Sequence, residues 1–79
     1  MLHIKVLGPG CRNCVTLEAR TREAIDSLGV AAELEKVTDY GEIANFGVVS
    51  TPALVVDDRV VLSGRVPTVA ALRQLLEDR

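Results

Sequence analysis

The sequence predicts an α/β fold: a four-stranded mixed sheet with helices on both faces, in the order βαβαββα. Three observations predict it. Apolar residues alternate with polar ones near the start, then change to a three- and four-residue period, and the same change recurs further along. Two short apolar runs, Ala53 to Val56 and Val60 to Leu62, are separated only by Asp57-Asp58-Arg59, which reads as an antiparallel hairpin and makes the sheet mixed. Gly8-Pro9-Gly10, Gly29 and Gly47 stand where periodic segments stop.

Taken in order, Leu2, Ile4 and Val6 alternate with His3 and Lys5, so the chain opens on a strand that the Gly8-Pro9-Gly10 loop ends. From Arg12 to Leu28, Cys14, Leu17, Thr21, Ile25 and Leu28 mark one face of an amphipathic helix. Arg12, Glu18, Arg22, Glu23 and Asp26 mark the other. Gly29 is placed to adopt positive φ at its C-terminus. Val30 to Val37 reads as the second strand, with Leu34 inward. Asp39 followed by Glu42 has the capping-box spacing of a short helix carrying Ile43 and Phe46 and closed by Gly47. After the hairpin, Pro67 suits the first turn of a last helix that buries Val69, Leu72, Leu75 and Leu76.

The 79 residues leave room for one domain, 1–79. A chain of this size buries only about 60–65% of its unfolded surface, so its core must be dense. Of the composition, 48% is hydrophobic, nearly all Val, Leu, Ala and Ile, with one Phe, one Tyr and no Trp. A formal net charge of -2, with the two signs mixed and no basic stripe, argues against a nucleic-acid surface. No apolar run reaches the roughly 18 residues that would span a membrane. The start Met1-Leu2-His3-Ile4-Lys5 lacks the regions of a signal peptide, so a cytoplasmic location is expected. A monomer is expected as well.

The two cysteines are spaced Cys11-Arg12-Asn13-Cys14. One close pair is unlike the framework of a secreted disulfide scaffold, and in a reducing compartment it indicates redox chemistry or metal binding. Cys11 falls at the start of a helix, where unpaired N–H groups and the helix dipole favour negative charge. Arg12 acts in the same sense. Cys14 lies one turn further in, on the buried stripe, and cysteines at i and i+3 are close enough to bridge. This asymmetry casts Cys11 as the attacking thiolate and Cys14 as the resolving thiol.

Gly8-Pro9-Gly10-Cys11-Arg12-Asn13-Cys14 between strand and helix, followed by Ser50-Thr51-Pro52-Ala53-Leu54 opening a hairpin, resembles the thioredoxin/glutaredoxin superfamily. The likeness is greatest to small prokaryotic redox-active disulfide proteins, and it covers essentially the whole chain. It implies a minimal thioredoxin-like fold in which the Thr51–Pro52 bond is cis and the loop faces the dithiol. Thr51 would then offer its backbone to an extended target, with Gly10, Arg12 and Asn13 completing the site. Gly10 stands where typical members carry an aromatic residue, and Lys5 where they carry a buried acid. Lys5 is read as a solvated strand residue. The segment Ser63-Gly64-Arg65-Val66-Pro67 lacks the Gly-Gly-Asp pattern of a glutathione site, which makes a protein the expected partner.

Other residues invite chemistry that their positions argue against. His3 lies too far along the first strand to join the cysteines at a metal. Asp57 and Asp58 read as turn residues, Tyr40 as groove-lining or helix-start packing, and Glu18 with Arg22 as an i,i+4 pair on a solvated face. Two functions follow. The first is a thiol–disulfide oxidoreductase acting on target protein disulfides, with electrons from an upstream thiol or disulfide reductase and no cofactor beyond the dithiol itself. The alternative is a soft-metal carrier using the same two sulfurs. Pro9 in place of a Met, and a final helix in place of a final strand, favour the first.

Overall fold

A computed structural model describes residues 1–48 and 50–77. Its elements are β1 (Leu2–Leu7), α1 (Arg12–Leu28), β2 (Ala32–Val37), α2 (Tyr40–Asn45), β3 (Ala53–Val56), β4 (Arg59–Ser63) and α3 (Val69–Glu77). The strands form one sheet in the order β2-β1-β3-β4. β1 runs parallel to β2 and antiparallel to β3, and β3 is antiparallel to β4, so the sheet is mixed as the hairpin required.

The alternation along β1 decides what each face of the sheet buries. Leu2, Ile4 and Val6 point towards α1 and α3 and pack with Leu17 and Ile25 of the former and Leu72 and Leu76 of the latter. Leu7 faces the other way, into a smaller cluster with Val37, Ala53, Val55 and Ile43 of α2. β3 contributes to both clusters, which is why its four residues are all buried. Helices therefore lie on both faces, unequally. The six residues of α2 cover only the Leu7 end, while His3, Glu33 and Glu35 stand in solvent at the other.

The ends of the elements are set by local hydrogen bonds. Gly29, at φ 68°, closes α1 with its N–H directed at the carbonyls of Ile25 and Asp26. Asp39 caps α2 by accepting the Glu42 N–H at 3.1 Å. Asp57 and Asp58 both take positive φ, 50° and 66°, and form the two-residue turn between β3 and β4. The turn is shorter than the sequence indicated, since Arg59 already belongs to β4. β2 begins at Ala32, after an exposed Val30 that follows the left-handed Gly29. Pro67 lies outside α3. The cap is Thr68, whose hydroxyl accepts the Ala71 N–H at 3.1 Å, so the helix starts at Val69.

Leu17 is fully buried where α1 crosses the sheet, and Leu17→Ala is expected to lower the unfolding free energy by about 2–5 kcal/mol. Thr68→Ala should cost about 1 kcal/mol through the lost cap. Urea unfolding measures both. Equal, negligible effects would contradict this assignment of core and cap.

Candidate active site

β1 ends where Gly8 gives its N–H to the Val37 carbonyl at 2.9 Å, one step beyond the β1–β2 ladder. The chain then turns through Pro9 and Gly10, whose φ of 93° is open to glycine at little cost. Cys11 follows in extended conformation as the N-cap of α1. Its carbonyl accepts the Val15 N–H at 3.0 Å and its Sγ accepts the Cys14 N–H at 3.3 Å. A sulfur here occupies the position of the Ser or Asp oxygen that usually caps a helix. Negative charge on it meets a donor N–H, the positive end of the helix and the adjacent Arg12, and the first turn holds no acidic side chain.

Cys11, Arg12 and Asn13 are exposed, whereas Cys14 is only 5% exposed and heads the buried stripe that continues to Leu17 and Thr21. The two cysteines are joined as a disulfide, with Cα atoms 5.0 Å apart. One sulfur is thus presented to solvent and the other held inside, as the helix period indicated.

The wall behind Cys14 is Gly8. A Cβ built on Gly8 would overlap the Cys14 Sγ, lie 3.2 Å from the Cys14 Cβ and 3.9 Å from the Pro52 Cα. Gly8 is therefore glycine for space, while Gly10 is glycine for conformation. Pro52 is buried against this point, the Thr51–Pro52 bond is cis, and the Pro52 carbonyl accepts the Gly64 N–H at 2.8 Å. Thr51 is exposed beside it. The fold thus brings Cys11, Cys14 and Pro52 together, with Gly10, Arg12, Asn13 and Thr51 flanking them in the chain. Gly8 is the site residue that sequence reasoning missed. Its only signal was a glycine at the inward-facing phase of β1.

Residues set aside earlier are elsewhere. Lys5 lies on the face opposite α1, its Nζ 5.3 Å from the centre of the Phe46 ring, a cation–π contact. His3 pairs with Glu33 at 2.9 Å, five positions before Gly8 on the same strand. A depression of about 510 Å³ over His3, Lys5, Glu33 and Glu35 contains none of the dithiol residues. Tyr40 is 73% exposed at the start of α2. Arg22 pairs with Glu18 at 3.1 Å. Among the described residues, no group of three or more His, Cys, Asp or Glu is placed to hold a metal ion, and no helix is long and apolar enough to cross a membrane.

Gly8→Ala sets a methyl group against the Cys14 sulfur. A reduced Cys14 can rotate away, but a disulfide-bonded one cannot, so the substitution should disfavour the oxidised form. At a fixed thiol/disulfide buffer ratio the disulfide-to-dithiol ratio is expected to fall by about fivefold or more, the effect of overpacking by one methyl group. Alkylation and mass measurement read it, and an unchanged ratio would show that Gly8 does not limit Cys14.

The family profile described as thioredoxin domain matches residues 2–77 of this chain. A thioredoxin of Methanothermobacter thermautotrophicus is 37% identical over 76 residues, which cover 96% of this chain and 99% of that protein. A thioredoxin of Methanocaldococcus jannaschii is 36% identical over 77 residues, covering 98% of this chain and 88% of the relative. With its four-stranded mixed sheet, its helices and a CxxC disulfide at the start of α1, the chain belongs to the thioredoxin family and is a thiol–disulfide oxidoreductase.

Proposed function

We propose that Cys11 is the attacking sulfur and Cys14 the resolving one, in a single domain, 1–79, that exchanges electrons with target protein disulfides. The observation that carries this is the asymmetry of the pair: Cys11 is exposed and its Sγ accepts a backbone N–H at 3.3 Å, while Cys14 is buried. The Cys11 thiolate attacks one sulfur of the target disulfide. The target S–S bond breaks, its other sulfur leaves as a thiolate that takes up a proton, and a mixed disulfide joins Cys11 to the target. The Cys14 thiol then gives up its proton and attacks the Cys11 sulfur, the second target sulfur leaves as a thiolate that takes up a proton, and the Cys11–Cys14 disulfide closes. Two electrons have moved to the target. An upstream thiol or disulfide reductase restores the dithiol, and no prosthetic group takes part.

Arg12 and the start of α1 stabilise the thiolate. Gly10 permits the turn that sets Cys11 at the N-cap, and Asn13 spaces the pair by one turn. Thr51, exposed beside Pro52, supplies the backbone edge along which an extended target segment docks, a strand-like recognition that tolerates many sequences. This chemistry suits the cytoplasm, where the reduced dithiol is maintained, and the protein acts as a monomer.

Cys14→Ser should accumulate a mixed disulfide when mixed with a disulfide-bonded peptide, visible as a mass adduct on Cys11 that a reductant removes. Cys11→Ser should form no adduct at a comparable rate. Adducts at similar rates on either remaining cysteine would contradict the assignment of roles.

A further inference from the structure

The charge of this chain is unevenly placed. Of its 11 acidic and 9 basic residues, few reach the end of the sheet where the dithiol sits. In the connections at that end, residues 8–11, 38–39, 46–48, 50–52 and 64–68, and in the first turns of the helices they lead into, the charged residues are Arg12, Asp39, Glu42 and Arg65. Both carboxylates belong to the start of α2, where Asp39 accepts the Glu42 N–H as the helix cap. Neither guanidinium, of Arg12 or of Arg65, has a hydrogen-bond or ion-pair partner among the described residues, and both residues are exposed. The far end carries Asp57 and Asp58 at its turn and Asp26 in the last turn of α1. Beside the Thr51–Pro52 loop, Arg12 and Arg65 therefore form a basic rim next to the reactive sulfur, the two carboxylates of this end belonging to the start of α2.

Arg65 is held in place by its backbone. The segment from Gly64 to Pro67 joins β4 to α3 and is tied at both ends. Gly64, at φ 74°, gives its N–H to the Pro52 carbonyl at 2.8 Å, and a Cβ there would come within 3.1 Å of the Ser50 Cβ. At the other end the Arg20 guanidinium of α1 donates to the Pro67 carbonyl at 3.1 Å. The strap is thus fastened both to the Thr51–Pro52 loop and to the helix that bears the dithiol. The sheet order β2-β1-β3-β4 sets the loop before β3 between the loop after β1, with Arg12, and the strap after β4, with Arg65. An ordered backbone spares part of the entropy that a loose loop would lose on binding.

We propose that Arg12 and Arg65 select protein targets whose disulfide is flanked by acidic residues, the carboxylates meeting the basic rim on both sides of the docking loop. The proposal rests on the oxidoreductase reading above and adds the class of target. Exposed charges at such a rim act mainly on encounter rate and on discrimination between partners, and salt weakens them.

The test uses two peptides with the same disulfide loop, one flanked by Asp and Glu and the other by Lys. Their rates of reduction by the reduced protein are followed by rapid alkylation at about 0.02 M and about 0.5 M salt. The acidic peptide is expected to react about tenfold faster at low salt, with the ratio falling towards one at high salt. Arg65→Gln should lower that ratio. Arg59→Gln, the same charge change at the opposite end of β4, should leave it intact. Equal rates for the two peptides, or equal effects of the two substitutions, would overturn the inference while leaving the exchange activity standing. Failure of the reduced wild-type protein to react with either peptide would overturn the underlying reading instead.

Discussion

At Gly8, just past the end of β1, the backbone passes so close to Cys14 that no side chain fits between them, and Pro52 borders the same space. Much of the site is arranged around that contact. β1 is paired on both edges, to β2 and β3, so Gly8 is reached from a rigid strand rather than a free loop. α1 can then dock its first turn against the strand end, which buries one sulfur and leaves the other at the helix start. With Cys11 as the cap, its sulfur receives the N–H that a Ser or Asp oxygen would otherwise satisfy. Position alone thus makes two chemically identical residues unequal.

The rest of the molecule supports this end of the sheet with a small amount of apolar material. Leu7 and Ala53, opposite each other in the ladder, are fully buried beneath α2. The longer helices α1 and α3 cover the other face. Coverage of the α2 face stops there, and its remaining half carries His3, Lys5, Glu33 and Glu35. A chain this short has too little surface to bury both faces completely. The apolar cover is concentrated where the catalytic loop and the Thr51–Pro52 loop meet.

Much of this was legible in the sequence because it is local. The period of α1, the glycine at its end, the Asp39 cap and the Asp57-Asp58 turn each depend on residues within a few positions of one another. So does the unequal placement of Cys11 and Cys14, which follows from helix geometry once the helix start is located. What was not legible depends on contacts across the chain or on competition between adjacent signals. Gly8 and Gly10 look alike in sequence, and only the approach of α1 shows that one answers a need for space and the other a need for positive φ. Pro67 suited the first turn of α3, but the Thr68 hydroxyl caps the helix one residue later, and the Pro67 carbonyl accepts from Arg20, 47 residues away. Alternation placed Lys5 on the face opposite Ile4 and Val6, but its contact with the Phe46 ring is made across the chain.

A redox titration decides whether Cys11 and Cys14 work as a two-electron exchange pair. The protein is equilibrated across graded thiol/disulfide buffers, quenched with an alkylating reagent, and its disulfide fraction read by mass. One two-electron transition is expected between roughly -280 and -120 mV, with Cys11 alkylated before Cys14. A protein that forms no intramolecular disulfide, or whose disulfide persists below about -300 mV as structural ones do, would contradict it.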